Sequence, residues 1–381
     1  MTNTLANPSN FLHVKASPQG GNRVILGLMT CGPDEAVGAR ITELNVFNDV
    51  LDVFQKKGYS ELDTARVYLR GHQEAFVRSA EWKKKGFSLA TKVKYPNAAG
   101  DNARKEVFES VETSLRELGT DHVDCTILVR NTKLLTTSTD TLSACCCKDR
   151  STPFSETLEA LDDLYKQGRF THLGLSNFAA YEVAEIVTLC NLKGWIRPTI
   201  YQALYNVLAR GIEPELVPAC RRYGLDIVVY NPLVGGLLSG KIRSKTEVPA
   251  SGRFSGPPGT LGALYRSRYF KDSAFEALDL IEDRLAASKE KNSGEEVFSL
   301  VEIALRWLVH HSVLKFHSSG DMGQGCNDGI IIGVSSVEQL QKNLDFFEKG
   351  PLPDWLVDTL DEAWAITKKD MATYWHGSLE Y

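Results

Sequence analysis

The sequence predicts a (β/α)8 barrel, an α/β fold in which eight parallel strands close on themselves inside a ring of helices. Three observations carry this expectation: short apolar runs alternate with amphipathic helical patterns, the alternation repeats eight times, and the runs are apolar almost throughout instead of at every second residue. Strands apolar on both faces are buried on both faces, as in a parallel sheet covered by helices. Eight units over roughly 330 residues fit a closed barrel with insertions, which carries its functional side chains at the C-terminal ends of its strands. An open doubly wound sheet is the alternative, but no G-x-G-x-x-G follows the first strand.

The first unit is RVILGLMTCG from Arg23, then ITELNVFNDVLDVFQKKG, where Leu44, Phe47, Leu51 and Phe54 recur at helical spacing and Gly58 marks the stop. YSELDT with QEAFVRSAEWKKKG, FSLATKV with ARKEVFESVETSLRELG, and HVDCTIL with PFSETLEALDDLYKQGR make the next three. FTHLGLSNF with AYEVAEIVTLCNLKG and TIYQALYN with IEPELVPACRRYG follow. LDIVVYNPL with a long loop and FEALDLIEDRLAASKEK, then GIIIGVSS with VEQLQKNLDFFEKG, complete the set. Extra helices are expected over 296–312 and 352–364. Residues 1–20, polar and without period, read as a mobile arm, 21–365 as the barrel domain and 366–381 as a C-terminal tail. Two stretches break the pattern: 129–148, rich in Thr and Ser with the run Cys145-Cys146-Cys147, and 316–326. Such connections are functional lids, disordered segments or translated non-coding sequence.

Composition narrows the function. The 381 residues are 43% hydrophobic and 24% charged, enough for a sizeable core and unlike a disordered or fibrous chain. Lys plus Arg at 43 against Asp plus Glu at 48 gives a charge of -5 with no basic block, which argues against nucleic acid. No stretch approaches the roughly 20 apolar residues of a membrane span, and the N-terminus lacks a secretory pattern, so the expected location is the cytoplasm. The eight cysteines then read as reduced thiols, and adjacent cysteines without C-x-x-C pairs do not predict a metal site.

In a barrel the polar residues ending apolar strands are the candidates for chemistry. The second strand ends in LDTARVY, giving Asp63 and, in the loop beyond, Tyr68; the third ends in ATKV, giving Lys92. A buried ammonium requires a partner, and Asp63 on the adjacent strand supplies it. An ammonium near Tyr68 favours the phenolate and lowers the phenol's pKa, which suits Tyr68 to protonate a developing alkoxide.

These motifs, with GLSNF, YQALYN, YNPLVGGLLSGK, GRF and GVSSVEQLQKN, resemble the aldo-keto reductase superfamily, specifically its aflatoxin-aldehyde-reductase-like branch. The resemblance runs from about Arg23 to about Phe347, outside the two irregular stretches. It implies a (β/α)8 barrel binding NADPH at its C-terminal face and passing hydride to an aldehyde or ketone. It makes Tyr68 the proton donor, Lys92 the residue that lowers its pKa, and Asp63 the partner of Lys92 close to the cofactor. Ser176 and Asn177 are then expected on the nicotinamide carboxamide, with Gln202 beside them. In YNPLVGGLLSGK the resemblance places Tyr230, Asn231, Pro232, Leu233, Gly235, Gly236, Leu238, Gly240 and Lys241 along the cofactor, the glycines and Lys241 suiting a pyrophosphate. It puts Arg253 of GRF on the 2′-phosphate, and Gly333, Ser335, Ser336, Gln339, Gln341 and Asn343 around the adenine end. Ser335 and Ser336 also precede a helix, whose N-terminus favours an anion. Met29, Cys31, Tyr68, Leu233, Tyr374 and Trp375 are the expected pocket walls, an apolar aromatic lining suited to aromatic aldehydes. The branch also implies a homodimer.

One expected feature is missing. The family's fourth strand ends in a histidine that orients and polarises the substrate carbonyl, whereas this strand runs Ile127-Leu128-Val129-Arg130 and no histidine lies between His122 and His172. His122 and His172 belong near the barrel bottom, leaving His72 and His376 as the candidate replacements. Loss of one polarising hydrogen bond costs about 2–4 kcal/mol of transition-state stabilisation. The sequence therefore predicts a reductase of reduced activity, with a non-catalytic NADP(H)-binding regulator or sensor as the alternative.

Overall fold

The computed structural model describes residues 21–94, 98–130, 151–257, 260–291, 297–316 and 326–375. The expected N-terminal arm, the Cys triplet and most of both irregular stretches lie outside the described residues. Eight parallel strands form a closed barrel in sequence order: β1 (Arg23–Gly27), β2 (Glu61–Asp63), β3 (Ser88–Lys92), β4 (Val123–Val129), β5 (Phe170–Ser176), β6 (Pro198–Leu204), β7 (Asp226–Tyr230) and β8 (Gly329–Ile332), which returns to β1. The predicted fold class stands.

Around the barrel lie α1 (Leu44–Lys56), α2 (Gln73–Ser79), α3 (Arg104–Leu118), α4 (Phe154–Lys166), α5 (Ala180–Lys193) and α6 (Leu216–Tyr223). The second half adds α7 (Leu261–Tyr269), α8 (Asp272–Lys291), α9 (Leu300–His310), α10 (Val337–Phe347) and α11 (Asp354–Thr367). Helix α7 occupies what the sequence reading left as a long loop. The extra helix expected from 296 begins at Leu300, where the Ser299 side chain accepts from the Glu302 N–H, and α11 runs on to Thr367. The second helix is shorter than its pattern suggests. It stops at Ser79, and Glu81 takes the left-handed conformation at φ 53°. On α1 the buried stripe is Phe47, Val50, Leu51 and Phe54, while Leu44 stays 37% exposed.

Side-chain alternation on the strands separates two cores. Leu26, Leu62, Leu89, Leu128 and Leu175 pack outward in the cluster shared with the helices, whereas Cys125, Ile127 and Val129 form a cluster inside the barrel. Ile25, Val228 and Ile331 make a second interior cluster, and Ile200 touches both. This apolar plug lies between two polar ends. At the bottom the Arg23 guanidinium donates to Glu61 at 2.9 and 2.7 Å and to the Asn327 carbonyl at 2.8 Å. At the top the register sets Asp63 beside Ala90, Lys92 beside Ile127, Val129 beside Ser176, and Ser176 beside Gln202. The polar strand ends therefore share one face. No helix among the described residues is long and apolar enough to cross a membrane.

Candidate active site

The centre of that face is a buried charged cluster. Lys92, 2% exposed, donates to both Asp63 carboxylate oxygens at 2.8 Å and to the Thr64 carbonyl at 2.7 Å. These three acceptors satisfy an ammonium that burial alone would penalise by several kcal/mol. Gln202 reaches across the barrel mouth from β6 and donates to Asp63 at 2.7 Å. The Lys92 ammonium lies 5.0 Å from the centroid of the Tyr68 ring. Asp63, Tyr68 and Lys92 thus come together as the sequence expects, and Gln202, which pairs in register with Ser176, joins them through Asp63.

The electrostatics differ from the expectation. Lys92 was expected to lower the Tyr68 pKa; instead burial pushes it well above the ordinary tyrosine value, with Asp63 adding to the rise and Arg253 opposing it. The reason is that the Lys92 charge is already balanced by a carboxylate held on both oxygens, so desolvation of the phenolate dominates. Tyr68 is a well-protonated phenol beside a neutralised pair.

Tyr68 sits in a tight loop between β2 and α2. Leu69, Arg70 and Gly71 that follow are all left-handed, at φ 49°, 56° and 90°. The Leu69 side chain fills the space left by Gly32 in the β1 loop, where an added Cβ would fall 2.1 Å from Leu69 Cδ1. Two residues that the sequence reading passed over, Gln73 and Glu74, are fully buried at the start of α2 and bond back to this loop and to its neighbouring strands. Their signal was a polar pair opening a short helix, too common a pattern to single out.

Of the residues expected to hold a nucleotide, Ser176 and Asn177 lie buried at the end of β5. Asn177, left-handed at φ 66°, donates to the Arg130 carbonyl at 3.3 Å and accepts from the Tyr230 hydroxyl at 3.0 Å. The loop after β7 bends through four left-handed residues, Asn231, Val234, Gly235 and Gly236, and ends on a fifth, Gly240. Successive backbone groups in this conformation form a concave cradle for an anion, and a Cβ on Gly236 would meet nothing within 4 Å. Pro232 and Leu238 are buried, Leu233 is half-buried and Lys241 is exposed. The Asn231 amide is held by two tyrosines of α7, donating to Tyr269 at 3.0 Å and accepting from Tyr265 at 3.3 Å. Their i, i+4 spacing was the signal for this helix.

At the β8 end, Gly333 and Ser335 are exposed, and Ser336 caps α10 by accepting from the Gln339 N–H at 3.2 Å. Gln339 in turn accepts from the Ser335 N–H and hydroxyl at 2.8 and 3.0 Å. Asn343, four residues on, is 2% exposed and its Nδ2 has no hydrogen-bond partner. Gln341 is exposed and projects from another side of α10 than Gln339 and Asn343, because two residues turn a helix by about 200°. The structure separates it from the set. Arg253 donates to Met29 Sδ at 3.1 Å and lies 5.2 Å from the Tyr265 ring, with no carboxylate in ion-pair range among the described residues. Its charge opposes the rise of the Tyr68 pKa.

Other expectations change on contact with the structure. Cys31 is 1% exposed, with burial pushing its thiol up to about 12, and it packs in the core instead of lining a pocket. Tyr374 is 2% exposed and anchors the tail, accepting from the Ala180 N–H at 3.2 Å and donating to Glu215 at 2.5 Å. Met29, Leu233 and Trp375 remain half-buried. Val129 ends β4 on the barrel-facing side, 1% exposed, where the motif comparison expects an imidazole. The next side chain, Arg130, pairs with Glu182 on α5. His122 and His172 lie at the barrel bottom as expected, His122 bonding Gly168 at 2.7 Å and Thr171 at 2.9 Å. His72 is exposed at the start of α2, and His376 lies outside the described residues.

Comparison with known proteins shows the family. The profile of the Aldo/keto reductase family matches residues 23–365. An aldo-keto reductase of Pseudocercospora fijiensis is 38% identical over 329 residues, covering 85% of this chain and 99% of that protein. Aldo-keto reductase family 7 member A3 of Homo sapiens is 36% identical over 357 residues, covering 92% and 96%. Aflatoxin B1 aldehyde reductase member 2 of Rattus norvegicus is 37% identical over 331 residues, covering 84% and 80%. With its closed eight-stranded barrel, the chain belongs to the aldo/keto reductase family, oxidoreductases that act on aldehydes, and within it resembles the aflatoxin aldehyde reductases.

Proposed function

We propose that the protein reduces aldehydes and ketones to alcohols with NADPH, Tyr68 donating the proton. The observation that carries this reading is the convergence of half-buried Tyr68 with buried Lys92, Asp63 and Gln202 at the C-terminal mouth of the barrel. The residues present fit a dinucleotide: a left-handed cradle after β7, an unpartnered buried Asn343 amide N–H suited to an acceptor on a base, and Arg253 without a carboxylate. Arg253 and the α10 start favour NADPH over NADH, since both suit an additional phosphate.

When bound, the nucleotide supplies the hydride. The protein supplies the rest. Tyr68, kept protonated by burial, gives its phenolic proton to the carbonyl oxygen as negative charge grows there. The phenolate left behind faces the Lys92 ammonium, which Asp63 and the Thr64 carbonyl hold in place. Gln202 fixes the Asp63 carboxylate from the far side of the mouth. Half-buried Met29, Leu233 and Trp375 favour apolar, aromatic aldehydes.

The apolar end of β4 favours a second reading, a nucleotide-binding protein with little turnover. Substituting Tyr68→Phe separates the two. As a reductase, the chain oxidises NADPH in the presence of an aromatic aldehyde, and Tyr68→Phe lowers that rate by about a hundredfold or more while NADPH affinity is kept. Equal rates in both proteins contradict the proton-donor role, and NADPH binding without turnover in either selects the second reading.

A further inference from the structure

We propose that Gln73, backed by Glu74, is a positioning residue that fixes the Tyr68 loop against the Lys92–Asp63 pair. This rests on the reading of Tyr68 as the proton donor. Tyr68 makes its approach from a loop of nine residues, Thr64 to His72, two of which, Leu69 and Arg70, take left-handed conformations that non-glycine residues rarely hold unaided. Such a loop keeps one shape only if its surroundings dictate it.

The Gln73 side chain closes that requirement at the β2 end. Its Nε2 donates to the Leu28 carbonyl at 3.1 Å, and its Oε1 accepts from the Thr64 hydroxyl. Leu28 follows β1 and its N–H donates to the Asp63 carbonyl at 2.9 Å, while Thr64 carries the carbonyl that receives Lys92 at 2.7 Å. One buried amide therefore joins the ends of β1 and β2 to the residue that orients the ammonium. Both ends of the amide are used, so its rotamer is determined as well.

Glu74 makes the matching connection to β3. Its Oε1 accepts from the Thr91 hydroxyl at 2.6 Å, next in sequence to Lys92, and its Oε2 faces Arg66 at 3.8 Å. Arg66 donates to the Gly71 carbonyl at 2.7 Å, across the Tyr68 turn. Both ends of the loop are thus buckled to the strands that carry Asp63 and Lys92. Burial raises the Glu74 pKa, which is consistent with a side chain kept inside for its bonds and not for solubility.

The test uses the full chain with Gln73→Met, which removes both bonds at similar size, and Gln73→Glu, which keeps the acceptor for Thr64 but loses the donor. Three quantities are read: kcat for an aromatic aldehyde, the Kd for NADPH, and the ring resonance of Tyr68 in isotope-labelled tyrosine, assigned with Tyr68→Phe. Positioning predicts a fall in kcat of about ten- to a hundredfold in Gln73→Met with an unchanged Kd, a smaller fall in Gln73→Glu, and a Tyr68 resonance that shifts or broadens in both. A lowered melting temperature with unchanged kcat and resonance reduces Gln73 to a structural role and overturns the inference. If the unaltered chain shows no turnover, the reductase reading fails, while a moved or unmoved Tyr68 resonance still decides the positioning. Should Gln73→Met not fold, Gln73→Glu decides alone.

Discussion

At the end of β4 Val129 turns its methyl groups toward the barrel axis, in line with Cys125 and Ile127, where a second hydrogen-bond donor to a substrate oxygen is expected in this family. Tyr68 is then the one donor assigned to the carbonyl among the described residues. Supplying the second in Val129→His should raise kcat by about tenfold or more and leave NADPH affinity unchanged, since such donors are worth about a hundred- to thousandfold. Steady-state rates with one aldehyde check this, and an unchanged kcat means that another group already polarises the carbonyl. Asp63, Lys92 and Tyr68 were legible in the sequence because a charged residue at the end of an apolar strand has few places to go. The reversal of the Tyr68 pKa was not legible. It follows from the two-oxygen grip of Asp63 on Lys92 and from the desolvation of the phenol, and neither is encoded in spacing.

The elements that serve the site are loops, and they are held by packing as much as by hydrogen bonds. The β1 loop lies against the Tyr68 loop where Leu69 packs over Gly32. In Gly32→Ala the new methyl must displace Leu69, so we expect a loss of about 1–3 kcal/mol in stability by overpacking together with a lowered kcat, read by denaturant unfolding and turnover. A stability loss without a kcat change would show that Leu69 does not transmit its position to Tyr68. Helices with clear periodicity, such as α1 and α10, were placed closely by the sequence. Helix α2 was overextended because Glu81 breaks it with a left-handed backbone that its residue type does not announce, and α7 was missed behind a glycine- and proline-rich stretch. Tyr265 and Tyr269 of α7 hold Asn231, so that omission also hid part of the support for the nucleotide loop.

The whole barrel divides into a polar bottom, an apolar plug and a polar top, and pH acts on the bottom through His172. At the bottom, burial and the Arg23 charge lower the His172 pKa below its ordinary 6.5. The unfolded chain then binds this proton more readily than the folded one, so stability held above pH 6.5 is lost as pH falls from there toward the folded pKa. Replacing His172→Gln removes that contribution. The wild-type melting temperature should drop relative to the variant on acidification, and a constant difference between the two contradicts the assignment. The eight-unit grammar made this architecture legible, because a parallel barrel needs doubly buried strands and helices of one-sided pattern in strict alternation. The docking of Tyr374 between Ala180 and Glu215 was not, since the bare tail sequence carries no period. The most direct test of the central claim is NADPH oxidation by the purified full chain with an aromatic aldehyde, run beside Tyr68→Phe. Aldehyde-dependent oxidation that falls at least about a hundredfold in Tyr68→Phe, with NADPH binding intact, is the predicted result. Turnover that survives the substitution unchanged would contradict it.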